Sequence, residues 1–232
     1  MTCTQETLPG GYIAFTSPAH RFQTDALRLA VFSFPKDGER VCDLGTGCGS
    51  IPLWWFSQGG HPVVDGVDKQ AEAVALAADA ASANGWQDRF RLWQEDWEAL
   101  SLSNGQYDRV VCNPPYYRED SGGVCSDAAR RIVRQESPVG MSGWIGAAAR
   151  LLRYGGRLCV CHRPERMVEL LLMLREAGLE PKRMQWVQRR PDTSPWLLLC
   201  EARKGGRPGI TVEPVWIEEI CEHKEEPACP EH

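Results

Sequence analysis

Between residues 24 and 206 the chain alternates short apolar runs with segments of helical period, and this alternation limits the folds open to it. Strand-like runs fall at 39–45, 62–68, 89–96, 107–113 and 157–163, with two more at 179–190 and 194–206. Between them lie helix-period segments at 24–34, 50–60, 69–85, 142–156 and 164–178. Helices set between strands are the signature of a mostly parallel sheet covered on both faces. No repeat or low-complexity linker divides the chain, so a single α/β domain over 23–212 is expected. An N-terminal extension (1–22) precedes it and an acidic, loosely attached tail (213–232) follows. In such a sheet, ligands bind beyond the carboxyl ends of the strands.

No stretch approaches the roughly 18 uninterrupted apolar residues that a membrane span needs. The first residues, "MTCTQETLPGGYIAF", show neither a basic n-region nor an apolar h-region. A cytoplasmic protein without a membrane partner is therefore expected, with a monomer the default state. The ten cysteines form no C-x-x-C pair, and they read as reduced thiols serving as small apolar residues. Cys221, His223, Cys229 and His232 in the tail match no common zinc spacing, so no metal site is expected. Net charge is −5. From Glu213 onward there are seven acidic residues and one lysine, which leaves residues 1–212 near neutrality. Basic residues cluster at Arg130/Arg131/Arg134, Lys182/Arg183, Arg189/Arg190 and Arg203/Lys204/Arg207, where they could contact phosphates or simply face solvent.

Four strand ends carry unusual residues. At "VCDLGTGCGS" a strand ends at Asp43, and Thr46 stands within a loop of Gly45, Gly47 and Gly49. Glycines there permit a tight turn and close approach of a ligand to the backbone. The G-x-G-x-G spacing, with an acidic residue two positions upstream, differs from the dinucleotide pattern G-x-G-x-x-G. It suits a ligand bearing an amino group and a sulfonium rather than a pyrophosphate. Asp68, followed by Lys69, ends the next strand about 20 positions on, where a carboxylate can accept from ribose hydroxyls. Asp96 ends the third, placed to accept from an adenine amino group, with Trp97 beside the ring. Either aspartate could also cap the helix that follows it.

The fourth end is the most specific. Asn113, Pro114, Pro115 and Tyr116 follow the apolar run Val110–Cys112. N-P-P-Y at the end of this strand matches the motif of enzymes that methylate an amino group conjugated to a planar system. Such a nitrogen is a poor nucleophile, because its lone pair is delocalised. The side-chain oxygen of Asn113 and the carbonyl of Pro114 can each accept one N–H, holding the group for in-line attack. The prolines fix the backbone, and Tyr116 offers a ring on which an unstacked base can lie.

With "FQTDALRLA", "CDLGTGCGSIPL", "GVDKQ", "NPPYY", "CHRPERM" and "EARKGG", the chain from Phe22 to about Gly209 resembles the bacterial tRNA adenine-N6 methyltransferases that act on adenine 37 of a valine tRNA. The resemblance implies a class I, Rossmann-like sheet of seven strands, the last antiparallel, with S-adenosylmethionine (SAM) as cofactor and tRNA rather than DNA as partner. It implies that Asp43, Gly45, Thr46, Gly47, Gly49, Asp68, Lys69, Asp96, Trp97 and Asn113 hold the cofactor. Asn113 to Tyr116 would then receive the base. Tyr117, Arg131, Arg134, Glu136, Arg163 and Arg166 are further candidates for substrate contact. Trp196 stands where a small polar residue is expected. Rival readings are a protein-glutamine N5 methyltransferase, although only about 22 residues precede the first helix, an enzyme acting on ribosomal RNA, and a SAM-binding module without catalysis.

Overall fold

The computed structural model describes residues 3–114 and 140–218. Five parallel strands form the centre of its main sheet: β3 (Arg40–Leu44), β4 (Val63–Asp68), β5 (Phe90–Gln94), β6 (Tyr107–Cys112) and β7 (Leu152–His162). Beyond β7 lie β9 (Leu197–Lys204) and then β8 (Leu179–Gln188), and β9 runs antiparallel to both its neighbours. The order of these seven is β8-β9-β7-β6-β3-β4-β5.

The strands are nearly continuous apolar runs because both faces are covered. Val41, Val64, Val111, Cys159, Cys161, Leu197 and Leu199 pack on one side, with helices α1 (Thr24–Phe32), α2 (Ser50–Ser57) and α3 (Ala71–Ala83). Their sequence neighbours, among them Cys42, Val110, Leu158, Val160, Leu198 and Cys200, face α4 (Gly140–Leu151) and α5 (Met167–Glu176). Period-2 alternation thus divides one apolar run between two cores. Six of the described cysteines are buried free thiols; only Cys3 is exposed.

Two features extend the expected architecture. The N-terminal segment is tied to the domain: β1 (Thr4–Thr7) and β2 (Ile13–Thr16) form an antiparallel hairpin. Asn84, at the end of α3, accepts from the Ile13 N–H at 2.9 Å and donates to the Ile13 carbonyl at 2.6 Å. At the other end the sheet gains two short strands, β10 (Thr211–Val212) and β11 (Trp216–Ile217), both parallel to β8, and so has nine strands rather than seven. The expected boundary at 212 falls inside this attachment. Arg28 of α1 reaches Glu218 at 3.1 Å and lies 4.8 Å from the Trp216 ring, fixing residues 213–218 to the domain. The rest of the tail, with its cysteines and histidines, lies outside the described residues.

Register explains how distant residues meet. Leu44 pairs with Val67 and with Cys112, Asp68 pairs with Gln94, and Cys112 pairs with Val160. Asp68, Asp96, Asn113 and Arg163 therefore emerge at one edge. Close packing supports that edge at Gly66, where a Cβ would lie 2.8 Å from the Phe90 ring and 3.1 Å from the Thr46 hydroxyl. Gly66→Ala should destabilise the fold by about 1–3 kcal/mol through overpacking, which chemical denaturation would check.

Candidate functional site

The glycine loop between β3 and α2 is held from below by the next strand. Val67 accepts at its carbonyl from the N–H groups of Gly45 (2.8 Å) and Thr46 (2.9 Å). Asp68 accepts at Oδ2 from the Gly47 N–H and at Oδ1 from the Gln70 N–H, both at 2.9 Å. Gly45 and Gly47 adopt φ of 75° and 57°, which side chains with a Cβ adopt only with strain. A Cβ on either would meet nothing within 4 Å, and both residues border a cavity of about 520 Å³. Bare backbone therefore forms that part of its wall.

Asp68, Lys69, Asp96 and Trp97 line the same cavity. Asp96 also accepts from the Glu98 N–H (3.2 Å), capping the short turn Trp97–Ala99. Lys69 Nζ lies 6.0 Å from the Trp97 ring. Burial raises the Asp68 carboxyl, opposed by the N–H groups of Gln70 and Gly47 and by the charges of His20 and Lys69.

On the opposite wall stand Asn113, Pro114 and Arg163. The Cys161 thiol donates to Asn113 Oδ1 at 3.1 Å, orienting the amide from beneath. Arg163 Nη1 donates to the Trp196 carbonyl at 3.3 Å.

Comparison with known proteins agrees with this geometry. Residues 24–173 match the family model described as "Methyltransferase small domain". The chain belongs to that methyltransferase family. A relative from Tolumonas auensis, named tRNA1(Val) (adenine(37)-N6)-methyltransferase, is 27% identical over 88% of this chain and 82% of its own. A protein of the same name from Parabacteroides distasonis is 27% identical over 79% of this chain and 76% of its own. Among solved structures, a predicted O-methyltransferase from Agrobacterium tumefaciens superposes with a TM-score of 0.67 at 20% identity, covering 84% of this chain and 87% of that one. Pyrococcus horikoshii TYW2 in complex with MeSAdo gives 0.62 at 16%, covering 88% of this chain and 72% of that one. The fold is that of the class I SAM-dependent methyltransferases.

The methyltransferase's cavity suits SAM. The bare loop backbone admits a ligand closely, and Asp68 and Asp96 supply carboxylates at two separated points of the wall. Not every expected residue stands there. Asp43 is buried behind the loop and is absent from the cavity wall; its Oδ2 accepts from the Thr46 hydroxyl at 2.7 Å, so it braces the loop. Gly49 begins α2, where a Cβ would lie 3.2 Å from the Phe90 ring and 3.3 Å from the Ala77 Cβ; it serves packing. Arg166 turns away and pairs with Glu169 through two contacts of 2.9 and 2.7 Å. Pro115, Tyr116, Tyr117, Arg131, Arg134 and Glu136 lie outside the described residues.

Several wall residues of the methyltransferase were not among its expected site residues. His20 and Gln23 come from the segment leading into α1, Thr24 and Asp25 from its first turn, and Arg189, Trp196 and Glu218 from the far side. His20 is buried, its backbone closed in a turn with Ser17, and its Nε2 has no hydrogen-bond partner among the described residues. "FQTDALRLA" was the available signal for this segment, but its helical period masked the turn before it.

Burial pushes the Asp43 carboxyl from 3.8 up to about 7, despite the Thr46 hydrogen bond; the nearby Asp68 charge adds to the rise. The folded chain thus keeps a proton that the unfolded chain releases, and this contribution to stability is lost as pH rises from about 4 through about 7. Asp43→Asn lacks that loss. Its melting temperature relative to wild type should be higher near pH 8 than near pH 5, as scanning calorimetry without cofactor would record.

Proposed function

We propose that this methyltransferase transfers a methyl group to the exocyclic N6 of adenine in tRNA, specifically adenine 37 of tRNA1(Val), in the cytoplasm. The observation that carries this reading is the placement of Asn113 and Pro114 on the wall of the cavity that Gly47, Asp68 and Asp96 also line. Methyl donor and amino-group acceptor would thus share one enclosure. The relatives that bear that name support the choice of adenine and of RNA.

SAM, when bound, supplies a methyl group on a positively charged sulfur. Asp68 accepts from the ribose hydroxyls, while keeping its two backbone N–H bonds, since each carboxylate oxygen has capacity for more than one donor. Asp96 accepts from the adenine amino group of the cofactor, and Trp97 packs near its ring. Asn113 Oδ1 takes one N–H of the substrate amino group beside the Cys161 thiol contact, and the Pro114 carbonyl takes the other. The pair favours a nitrogen whose lone pair points out of the base plane. No strong base is required, because the proton leaves after the new N–C bond has formed.

Labelled SAM incubated with total tRNA should yield N6-methyladenosine on digestion. Asn113→Ala should reduce that product about a hundredfold or more. Methylglutamine formed in a release-factor protein instead, or no product in tRNA, refutes the reading. Asp68→Asn removes the charge from a charge-assisted acceptor, so SAM affinity should fall about tenfold or more in titration calorimetry.

A further inference from the structure

The connection between β8 and β9 places two side chains on the acceptor wall that the turn itself does not need. Its backbone is closed from within. Thr193 donates its N–H to the Arg190 carbonyl (3.2 Å) and accepts the Arg190 N–H at its hydroxyl (3.2 Å), while Gln188 Nε2 donates to the Thr193 carbonyl (2.7 Å). Trp196 completes the ladder through its own N–H to the Val187 carbonyl at 3.0 Å. None of these bonds uses the Trp196 ring or the Arg189 guanidinium.

Both residues nevertheless border the cavity with Asn113, Pro114 and Arg163. Trp196 Nε1 is buried with no hydrogen-bond partner among the described residues, an arrangement that native structures seldom leave unexplained. Arg189 is exposed, lies 6.0 Å from the Trp196 ring, and has no carboxylate partner among the described residues. The neighbouring arginines differ: Arg183 pairs with Glu201, and Arg190 lies 3.9 Å from Asp192. An aromatic ring with a cation beside it suits an unpaired nucleobase with its phosphate.

Resting on the tRNA reading above, we infer that Trp196 is a stacking surface for an unpaired base next to the one that enters at Asn113. Arg189 holds the phosphate of that neighbour. The site would select substrates in which the target lies among unstacked nucleotides, as in a loop rather than a paired stem.

The test compares wild type with Trp196→Ala, Trp196→Phe and Arg189→Ala, using unmodified tRNA transcript and labelled SAM. Trp196→Ala should raise the KM for tRNA about tenfold or more with the KM for SAM unchanged, the lost packing against the core lowering only the melting temperature, and Trp196→Phe should recover most of the loss. Arg189→Ala should weaken tRNA binding and lower its salt slope by about one. An unchanged tRNA KM in Trp196→Ala, while wild type methylates tRNA, overturns the inference and leaves the proposed function standing. A rise in the KM for SAM equal to that for tRNA, or a loss that Trp196→Phe does not recover, overturns it in favour of a purely structural role. Failure of wild type to methylate any tRNA overturns both.

Discussion

One carboxylate ties the donor half of the site together. Asp68 ends β4 and takes N–H groups from Gly47 on one side and Gln70 on the other. It thus joins the loop after β3 to the start of α3. With the Val67 carbonyl accepting from Gly45 and Thr46, the loop's conformation depends on the β3–β4 register. A slip of one residue would turn Asp68 to the opposite face and leave the loop amides without acceptors. The cavity is therefore a consequence of strand pairing, and the glycines follow from it, because the loop must turn with positive φ.

The same strands bury charges that serve only the fold. Asp65, three residues before Asp68, is fully buried and accepts from the Tyr107 hydroxyl (2.8 Å) and Trp93 Nε1 (2.9 Å), with Arg91 at 3.1 Å and Arg40 at 3.6 Å. It fastens β3, β4, β5 and β6 to one another. Arg109 of β6 does the same, meeting Glu39, just before β3, at 3.0 Å and Glu201 of β9 at 3.8 Å. Removing one partner of such a group would strand a buried charge, typically at about 3–5 kcal/mol. Two of the three described basic clusters that might have met phosphate are spent likewise. Arg183 reaches the Phe32 carbonyl and Glu201, Lys204 the carbonyls of Ala149 and Leu152, and Arg203 that of Gly155. Of the described residues in those clusters, Arg189 borders the cavity.

This division explains what was legible in the sequence. The parallel core could be read because its strands are continuous apolar runs bounded by glycine, proline or aspartate. Asp68, Asp96 and Asn113 could be read because each stands where such a run stops. Asp43 shares that pattern yet lies behind the loop, since no periodicity distinguishes a residue that contacts a ligand from one that braces the contact. The N-terminal hairpin stayed hidden: β1 is four polar, exposed residues whose order depends on pairing with β2. The attachment of Trp216 to Glu218 was hidden by its acidic surroundings, and its Arg28 partner lies 190 residues away.

Trp196 shows how topology sets a residue's place where composition does not. It looked like a departure, a large aromatic in place of a small polar residue. All strands of the main sheet but β9 run one way, and the carboxyl ends of the five central ones define the cavity edge. Because β9 runs antiparallel to β7 and β8, the residue that begins β9 comes to that same edge: Leu197 pairs with Val187, and Leu198 with His162. In an all-parallel sheet, the start of this strand would lie at the far end, remote from Asn113. The reversed strand thus brings a side chain to the acceptor wall without lengthening any loop. It holds that side chain on a ladder bond more rigidly than a loop could.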